Sequence, residues 1–433
     1  MQTQRRRIIH TRSPWSGLLQ WTLSVLALLA TSTAAHATNG YQFIGVGQCA
    51  MGMAGAVVAA PCDPMTAISN PAGLAWLASQ TAFSGEIFNP LRSANFGFGN
   101  VGSNTNVYVA PALGWSAPAF KPNIYFGGGI YGTSGMGVNY LQPNTPMGTI
   151  QAYSSLNFMQ MAPAVAFKFD DKLAVGLALD GGAEQISFNQ TFGGQGFNLS
   201  SPSWAYGVGA TVGVLYKRNS KVTLGASYKS EMLFTRVYWN ETSEFIPTGV
   251  QVTSQGMQPV GVQGGPGTYS ARLNYPQQLA FGAAFHPTTK LLISTEGQWI
   301  NWHKTMNDFN VHGPWTGTSF VSLPLHWQNE WVGNIGAQYD TGKSMQWRGG
   351  FVYGGNPIKS ADMQANLIMP AIVTTGMTFG ATQKLPMRWS LTEALMHMFQ
   401  NSVTDGTLFN LPLQPVKSSM SENSIGFQIG YFF

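Results

Sequence analysis

The chain has 433 residues, of which 9% are charged, 12% are aromatic and 51 are glycine. Its formal charge of +5 falls to +1 after residue 37, because four arginines and no acidic residue precede that position. A basic nucleic-acid interface is disfavoured, because the basic cluster offered by this remainder, Lys217-Arg218 with Lys221, has the sequence of a turn. No later segment approaches the roughly 18 unbroken apolar residues that indicate a helical membrane span. Scarce charge without helical spans favours a closed β-barrel, which satisfies its own backbone in lipid.

The first 37 residues have the composition of a secretory signal peptide. Four arginines lie within residues 5–12, an apolar stretch covers 18–30, and Ala35-His36-Ala37 supplies a cleavage site of small residues. An uncleaved membrane helix is disfavoured because polar residues interrupt the apolar stretch. We therefore expect the mature chain to begin at Thr38.

Residues 38–79 are rich in Gly and Ala and show no two-residue alternation. A barrel of about fourteen strands has a lumen that conducts unless something fills it, so this segment is predicted to be an N-terminal plug, or hatch. Its two cysteines, Cys49 and Cys62, would meet an oxidising compartment after export. A disulfide between them is the first interpretation, and two buried free thiols are the alternative.

From residue 80 onward, apolar residues alternate with small or polar ones. Residues 173–180, 206–216 and 424–433 show the pattern well, and similar segments recur to give about fourteen strands. The predicted fold is therefore all-β, a membrane-spanning antiparallel barrel over residues 80–433 with the hatch in its lumen. Such a barrel is a multi-pass protein of the cell outer membrane.

The connections are predicted to be short at one end and long at the other. Short turns are expected at 170–172, 218–220 and 287–289. Long extracellular loops are expected at 132–156, 187–202, 241–267, 304–328, 356–370 and 401–421. The last strand ends in Tyr431 and Phe433, a pattern that resembles the signal by which the barrel assembly machinery recognises its clients.

The order of several short motifs resembles the FadL-type outer-membrane transporters of long-chain fatty acids and hydrocarbons (OMPP1/FadL/TodX). The stretch Asn70-Pro71-Ala72 matches the hatch motif of that family. The other matching stretches are 45–48, 51–56, 63–64, 224–230, 273–277, 299–302, 356–358 and the closing strand. The chain departs from the family at 370–373, where relatives commonly carry an acidic residue and an arginine.

The resemblance implies that cargo is captured by the loops, enters the barrel, and leaves sideways where the third strand kinks beside the hatch. Gly127, Gly128 and Gly129 are the candidate kink, because consecutive glycines weaken strand pairing; lumen-facing small residues are the alternative. Candidate ligand-binding residues are Met136, Tyr140, Leu141, Leu156, Phe158, Met159, Lys229 and Arg348. For the two basic residues, salt bridging inside the lumen is the alternative.

The resulting functional hypothesis is a transporter of hydrophobic compounds, with long-chain fatty acids as cargo. Uptake of aromatic or other neutral hydrocarbons is the main alternative, and a general porin is a further one. An enzyme is disfavoured because the histidines stand in no catalytic or metal-ligand motif, and we expect no cofactor and no metal. The expected partners are the hydrophobic ligand, outer-membrane lipid and the assembly machinery, with no nucleic acid, and the expected state is a monomer.

Overall fold

The computed structural model describes residues 39–118, 121–254 and 256–433. The predicted signal peptide, 1–37, and the predicted first mature residue, Thr38, lie outside the described residues. Within the described residues no helix is long and apolar enough to cross a membrane.

Short helices and many strands make up the described chain. The α-helices are α1 (Gln48–Gly52), α2 (Thr66–Ser69) and α3 (Trp302–Met306), and the 3-10 helices span Pro71–Trp76, Ser360–Asp362 and Leu408–Asn410. The strands are β1 (Gln80–Asn95), β2 (Asn100–Gly102), β3 (Tyr108–Pro118), β4 (Ile124–Thr145), β5 (Gly148–Met161), β6 (Ala164–Lys168), β7 (Leu173–Phe192), β8 (Gln195–Lys217), β9 (Val222–Lys229), β10 (Leu233–Phe234), β11 (Val237–Glu241), β12 (Glu244–Thr253), β13 (Gly256–Gly264), β14 (Gly267–Ala271), β15 (Gln278–Phe285), β16 (Leu291–Ile300), β17 (Asp308–His312), β18 (Phe320–Pro324), β19 (Glu330–Asp340), β20 (Met345–Gly354), β21 (Thr375–Lys384), β22 (Trp389–Thr407) and β23 (Pro415–Phe432).

The strands close into an antiparallel ring. Its order is β1, β3, β4, β5 with β6, β7, β8, β9 with β10, β15, β16, β19, β20, β21, β22 and β23, which pairs again with β1. β5 and β6 count as one strand because both pair with β4 and with β7 in one register. The ring therefore has fourteen members, which confirms the predicted barrel.

The alternation along each strand sorts polar residues inward and apolar residues outward. On β1, Gln80, Ser84 and Glu86 are buried, whereas Phe83 and Ile87 are exposed. Successive side chains of a strand point to opposite faces, so the exposed apolar side chains cover the outside of the ring. An apolar outer face with polar residues inside is the reverse of a soluble protein and is typical of a barrel that faces lipid.

Six connections at one end of the ring are short, and we call this the short-turn end. They cover 119–123, 169–172, 218–221, 286–290, 341–344 and 385–388. Three long connections, 230–277, 301–329 and 355–374, lie at the opposite end. Two of them hold a four-stranded sheet (β11, β14, β17, β18) and the β12–β13 hairpin.

Three of the predicted long loops are mainly strands instead, among them 401–421, which β22 and β23 cover except for 408–414. Residues 132–156 continue β4 and β5 around a turn at 146–147, and residues 187–202 continue β7 and β8 around Gly193 and Gly194. The expectation of loops was wrong because the lumen-facing positions become apolar there. Val138, Ile150 and Phe188 are buried in the large apolar cluster inside the barrel, so the inside-outside alternation disappears from the sequence while the ladder continues.

Residues 39–79 pack inside the ring, and the first barrel strand begins at Gln80. Barrel glycines make room for this segment. A Cβ atom on Gly213 would overlap Asn70 Oδ1, one on Gly225 would overlap Val58 O, and one on Gly350 would lie 2.7 Å from Ala54 Cβ. Glycines in the same situation against the hatch are Gly114, Gly176, Gly282, Gly336, Gly380 and Gly426. The wall therefore has glycine, without a side chain, at these positions of contact with the hatch.

Candidate functional site

The barrel wall is incomplete between β3 and β4. Their ladder runs from the short-turn end to the pair Ala112–Tyr131 and stops there. Beyond it, Tyr108–Pro111 still pair with β1 on their other side. On β4 the register with β5 shifts between Gly132 and Ser134, which makes Thr133 a β-bulge. A bulge bends its strand and interrupts pairing, so β4 leaves β3 at this level.

The hatch takes the place of β3 beside the bulge. The Phe43 N–H donates to Thr133 O over 3.0 Å, and the Gly135 N–H donates to Tyr41 O over 3.2 Å. Gln42 and Ser134 form an antiparallel bridge between these two bonds. An unpaired strand edge exposes donors and acceptors that must be satisfied in lipid. The segment Tyr41–Phe43 satisfies those of β4 from inside the barrel.

A mainly apolar cavity lies at this gap in the wall. It encloses about 870 Å³ of empty space, including space open to solvent. Its lining includes lumen-facing side chains, among them Met136 and Phe158, and also Val109 and Pro111, whose side chains are exposed on the outer face. Further lining residues are Tyr41, Phe43, Phe88, Ala371, Met396 and Met420. The cavity is therefore lined by residues of the lumen and of the outer face, on both strands beside the end of the β3–β4 ladder.

Two charged residues line the cavity. The Arg92 guanidinium donates to Thr105 O and, over 3.2 Å, to the Tyr108 hydroxyl, and it lies 5.4 Å from the Tyr108 ring centroid. Its buried Nε–H has no acceptor among the described residues. Glu422 lines the same cavity. Neither residue was singled out from the sequence, although the outward position of Leu91 on β1 already directs Arg92 inward.

The predicted tail-binding residues divide into three groups. Met136, Phe158 and Met159 line the cavity. Tyr140 and Leu156 are buried in the adjacent apolar cluster. Leu141 lies on the outer face, 48% exposed. The reason for the last position is that adjacent residues of a strand face opposite sides, and Tyr140 is buried inside the barrel.

The two predicted basic residues lie apart from the apolar cavity. Lys229 lines a second cavity of mixed polar and apolar lining, and the hatch segment Gln42–Ile44 lines both cavities. Arg348 is buried against the hatch and donates to wall side chains, namely Gln338 (2.8 Å), Gln346 (3.1 Å) and Thr382 (2.6 Å). Its donors are used in the wall, which favours the structural alternative for Arg348.

The hatch motif joins the hatch to itself and to the wall. Asn70 Nδ2 donates to Val58 O over 2.7 Å and to Val214 O of β8 over 3.1 Å. Asn70 Oδ1 accepts from the Ala72 N–H over 3.2 Å and so caps the 3-10 helix that Pro71 begins. The Asn70 side chain thus hydrogen-bonds to three backbone groups, two in the hatch and one in the wall.

Replacing Asn70 by Ala is expected to loosen the hatch while the barrel persists. Val58 O, buried with the hatch, loses its donor, and a lost hydrogen bond that leaves a buried acceptor costs about 1–3 kcal/mol. Hydrogen exchange of hatch amides should therefore accelerate, by about tenfold or more, with barrel amides unchanged. Asn106→Ala, on the connection before β3, is the matched control; equal protection of the hatch in Asn70→Ala would contradict this role.

Cys49 and Cys62 form a disulfide at a sequence separation of 13 residues. The bond ties α1 to the segment before α2. Closing a loop of this size constrains the unfolded chain by roughly 3 kcal/mol. The bond therefore acts on the hatch, which has little apolar core of its own.

The double variant Cys49→Ser, Cys62→Ser is expected to lower the stability of the hatch without preventing barrel closure. Limited proteolysis should cut within residues 39–79 at least about tenfold faster than in the parent, while the barrel stays heat-resistant on gels. Addition of a reductant should reproduce the effect in the parent and leave the double variant unchanged. A hatch as resistant as the parent's would contradict this prediction.

The predicted kink residues Gly127–Gly129 lie on β4 where its ladder to β3 is intact. Gly128 has φ 145°, which favours glycine, and opposite it Ala162-Pro163 separates β5 from β6. The register shift of β4 lies further along, between Gly132 and Ser134. A kink role for the three glycines stays a prediction.

The last described residues lie where β23 pairs with β1 and closes the ring. The Tyr431 ring lies 4.9 Å from that of Trp389 and 6.0 Å from that of Phe433, and the Phe433 N–H donates to Ser79 O over 3.1 Å. Recognition of these residues by the assembly machinery stays a prediction.

A profile of the family described as "Outer membrane protein transport protein (OMPP1/FadL/TodX)" matches residues 25–431. No curated protein matches the chain. Among solved structures, a Pseudomonas aeruginosa FadL homologue is 15% identical with TM-score 0.72, covering 91% of this chain and 100% of its own. The P. putida toluene transporter TodX is 17% identical with TM-score 0.70, covering 90% and 99%. The Ralstonia pickettii toluene transporter TbuX is 21% identical with TM-score 0.66, covering 90% and 99%. These similar proteins are transport proteins and not enzymes.

Proposed function

This chain belongs to the OMPP1/FadL/TodX family of outer-membrane transport proteins, and we propose that long-chain fatty acids are its main cargo. The observation that carries the proposal is the mainly apolar cavity beside the end of the β3–β4 ladder. Cargo captured by the long loops would enter this cavity, and movement of the hatch segment Tyr41–Phe43 would release it sideways into the membrane.

The apolar lining supplies most of the affinity in this mechanism. Burying about 15 methylenes of an acyl chain gains roughly 12 kcal/mol gross, whereas a hydrogen bond to a charged group nets about 1.5–3 kcal/mol. Met136 and Met420 are suited to a flexible chain because thioether side chains adapt to irregular apolar shapes, and Phe158 adds a large apolar surface. The lining thus decides that the cargo is hydrophobic.

Arg92 supports a carboxylate head group. Its buried Nε–H is free within the described residues, and a guanidinium binds carboxylates with charge-assisted hydrogen bonds. A fatty acid with its head at Arg92 and its tail among the methionines would satisfy both parts of the cavity. In this position the carboxylate meets a charged donor that lacks an acceptor within the described residues.

Neutral aromatic hydrocarbons are the second candidate cargo. The acidic side chain of Glu422 lines the same cavity as Arg92 and does not favour a carboxylate ligand, so an uncharged ligand suits the site as well. Two of the similar solved structures are described as toluene transporters. A general porin is disfavoured because the hatch fills the lumen.

Uptake measurements with two labelled cargoes test the proposal. Cells producing the parent protein should take up oleate well above empty-vector cells, and Arg92→Gln should lower oleate uptake about tenfold or more while toluene uptake is unchanged. Arg272→Gln, at an exposed position in the long connection between β9 and β15, is the charge-matched control. Toluene uptake with oleate at the empty-vector level would overturn the fatty-acid proposal, and fastest entry of small sugars would favour a porin.

The remaining partners are proposals as well. We infer that the exposed apolar belt contacts outer-membrane lipid, that Tyr431 and Phe433 are read by the barrel assembly machinery, and that the protein works as a monomer. Closure of the ring by pairing of β1 with β23 supports the monomer, since the barrel needs no strand from a second copy to close.

A further inference from the structure

The charges of the chain are divided unevenly between the two ends of the barrel. After residue 37 the chain has eighteen Lys and Arg and seventeen Asp and Glu. Six segments at the short-turn end hold ten of the basic and three of the acidic residues. We call these segments, 121–123, 168–172, 217–221, 286–290, 340–344 and 384–388, the short-turn rim. Its formal charge is +7, against −6 for the rest.

The ten basic residues occur in all six segments of the rim. They are Lys121, Lys168, Lys172, Lys217, Arg218, Lys221, Lys290, Lys343, Lys384 and Arg388. Eight are exposed, and Lys168 and Lys217 are half-buried. Because the six turns belong to hairpins spaced around the ring, the positive charge surrounds the barrel instead of marking one side.

Most rim cations form no ion pair with another side chain in the part of the chain that the structure describes. Lys168 lies 3.1 Å from Asp171, and the ammonium groups of Lys168 and Lys217 lie 4.6 and 3.7 Å from the Trp76 ring centroid. Within the described residues the other rim cations form no ion pair. Their charges are therefore available to an outside partner.

Aromatic side chains mark where the rim stands relative to a bilayer. Five aromatic residues lie in the rim or directly beside it on the outer face, each between 41% and 65% exposed, namely Phe169, Tyr216, Phe285, Tyr339 and Trp389. Aromatic belts of this kind sit at the headgroup level of a membrane. Short turns of outer-membrane barrels face the periplasm. The rim cations thus stand at the headgroups of the periplasmic leaflet.

We propose that the short-turn rim binds the phosphate groups of anionic phospholipids in the periplasmic leaflet. The lipid annulus is the partner that reaches all six turns at once, whereas an acidic protein would meet one sector of the ring. A Lys or Arg close to an anionic bilayer surface strengthens attraction by roughly fivefold, and the effect is screened by salt. Neutralising several rim cations should therefore weaken the selection of anionic lipid strongly.

The test measures which lipids stand next to the full-length folded protein. The protein is reconstituted in phosphatidylcholine bilayers with trace spin-labelled phosphatidylglycerol or phosphatidylcholine, and the relative association constant is read from the motionally restricted spectrum at low and high salt. The rim variant is Lys221→Gln, Lys290→Gln, Lys343→Gln. The matched variant is Arg272→Gln, Lys359→Gln, Lys417→Gln, which removes the same charge from the opposite end.

The parent should prefer phosphatidylglycerol over phosphatidylcholine by at least about threefold at low salt, and high salt should abolish the preference. The rim variant should lose most of it, while the matched variant keeps it. Heat-modified gel migration verifies that each barrel is folded. No preference in the parent, or equal loss in both variants, would overturn the proposal. Cargo transport plays no part in this measurement, so its result is independent of the proposed function.

Discussion

A disulfide across the wall between β3 and β4 is expected to stop cargo uptake. A Cβ atom on Gly132 would lie 3.4 Å from Ala110 Cβ, close to the 3.5–4.5 Å that a disulfide requires. Oxidised Ala110→Cys, Gly132→Cys would therefore tie β3 to β4 at the cavity mouth. Because cargo leaves between these strands in the proposed mechanism, oleate uptake should fall at least about tenfold and return after reduction.

The native disulfide makes a control necessary. The pair is introduced into Cys49→Ser, Cys62→Ser, once this background has been shown to transport, so that reductant acts on the new bond alone. Each single cysteine variant should transport like the background with and without reductant. Undiminished uptake by the oxidised protein, with the bond verified by mass spectrometry, would show that cargo does not leave between β3 and β4.

The second large effect is expected from a side chain added where the wall meets the hatch. In Gly213→Val the new Cβ would overlap Asn70 Oδ1 and lie 2.9 Å from Pro71 Cδ. Overpacking of a filled interior costs about 1–3 kcal/mol or more, and here the neighbours are held by Val58 and Val214. We expect the hatch to detach from the inner wall while the hydrogen-bonded ring of strands stays closed.

Ion conductance separates this outcome from simple unfolding. A fourteen-stranded ring without its hatch should conduct ions in a planar bilayer, whereas the parent should conduct little. Gly85→Val is the matched control, because no heavy atom lies within 4 Å of the added Cβ. A folded Gly213→Val barrel with the parent's conductance would show that Gly213 is not needed for packing of the hatch. Raised conductance in Gly85→Val would show that the effect is not specific to contact with the hatch.

The barrel itself was predictable because its strands obey a local rule. Lipid outside and a polar lumen inside impose a two-residue period, and Phe83, Ser84 and Glu86 follow it. The two-residue period is lost at the end of β7 and β8 opposite the short-turn end, because there both faces of a strand can be apolar or both can be polar. Phe188 and Phe197 pack there inside the barrel, 5.3 Å apart between ring centroids, so strand residues resemble a loop in the sequence.

The candidate site was only partly predictable. Met136, Phe158 and Met159 were recognised as apolar residues in the right neighbourhood and line the cavity. Tyr140 and Leu141 were both named because the segment was expected to be a loop, whereas adjacent residues of a strand face opposite sides, and here Leu141 faces outward. Arg92 and Met420 were missed because they come from β1 and β23, far apart in the chain, and meet only where the ring closes.

By itself, the sequence determined an all-β outer-membrane barrel with an N-terminal hatch, because period-two alternation, scarce charge and the glycine-rich segment before residue 80 are local properties. Tertiary structure alone decided where the wall is open and what closes it. Whether β4 pairs with β3 or with Tyr41–Phe43 depends on contacts between segments about 90 residues apart. The choice between these two partners produces no periodic pattern in the sequence, because the backbone of β4 can hydrogen-bond equally well to either of them.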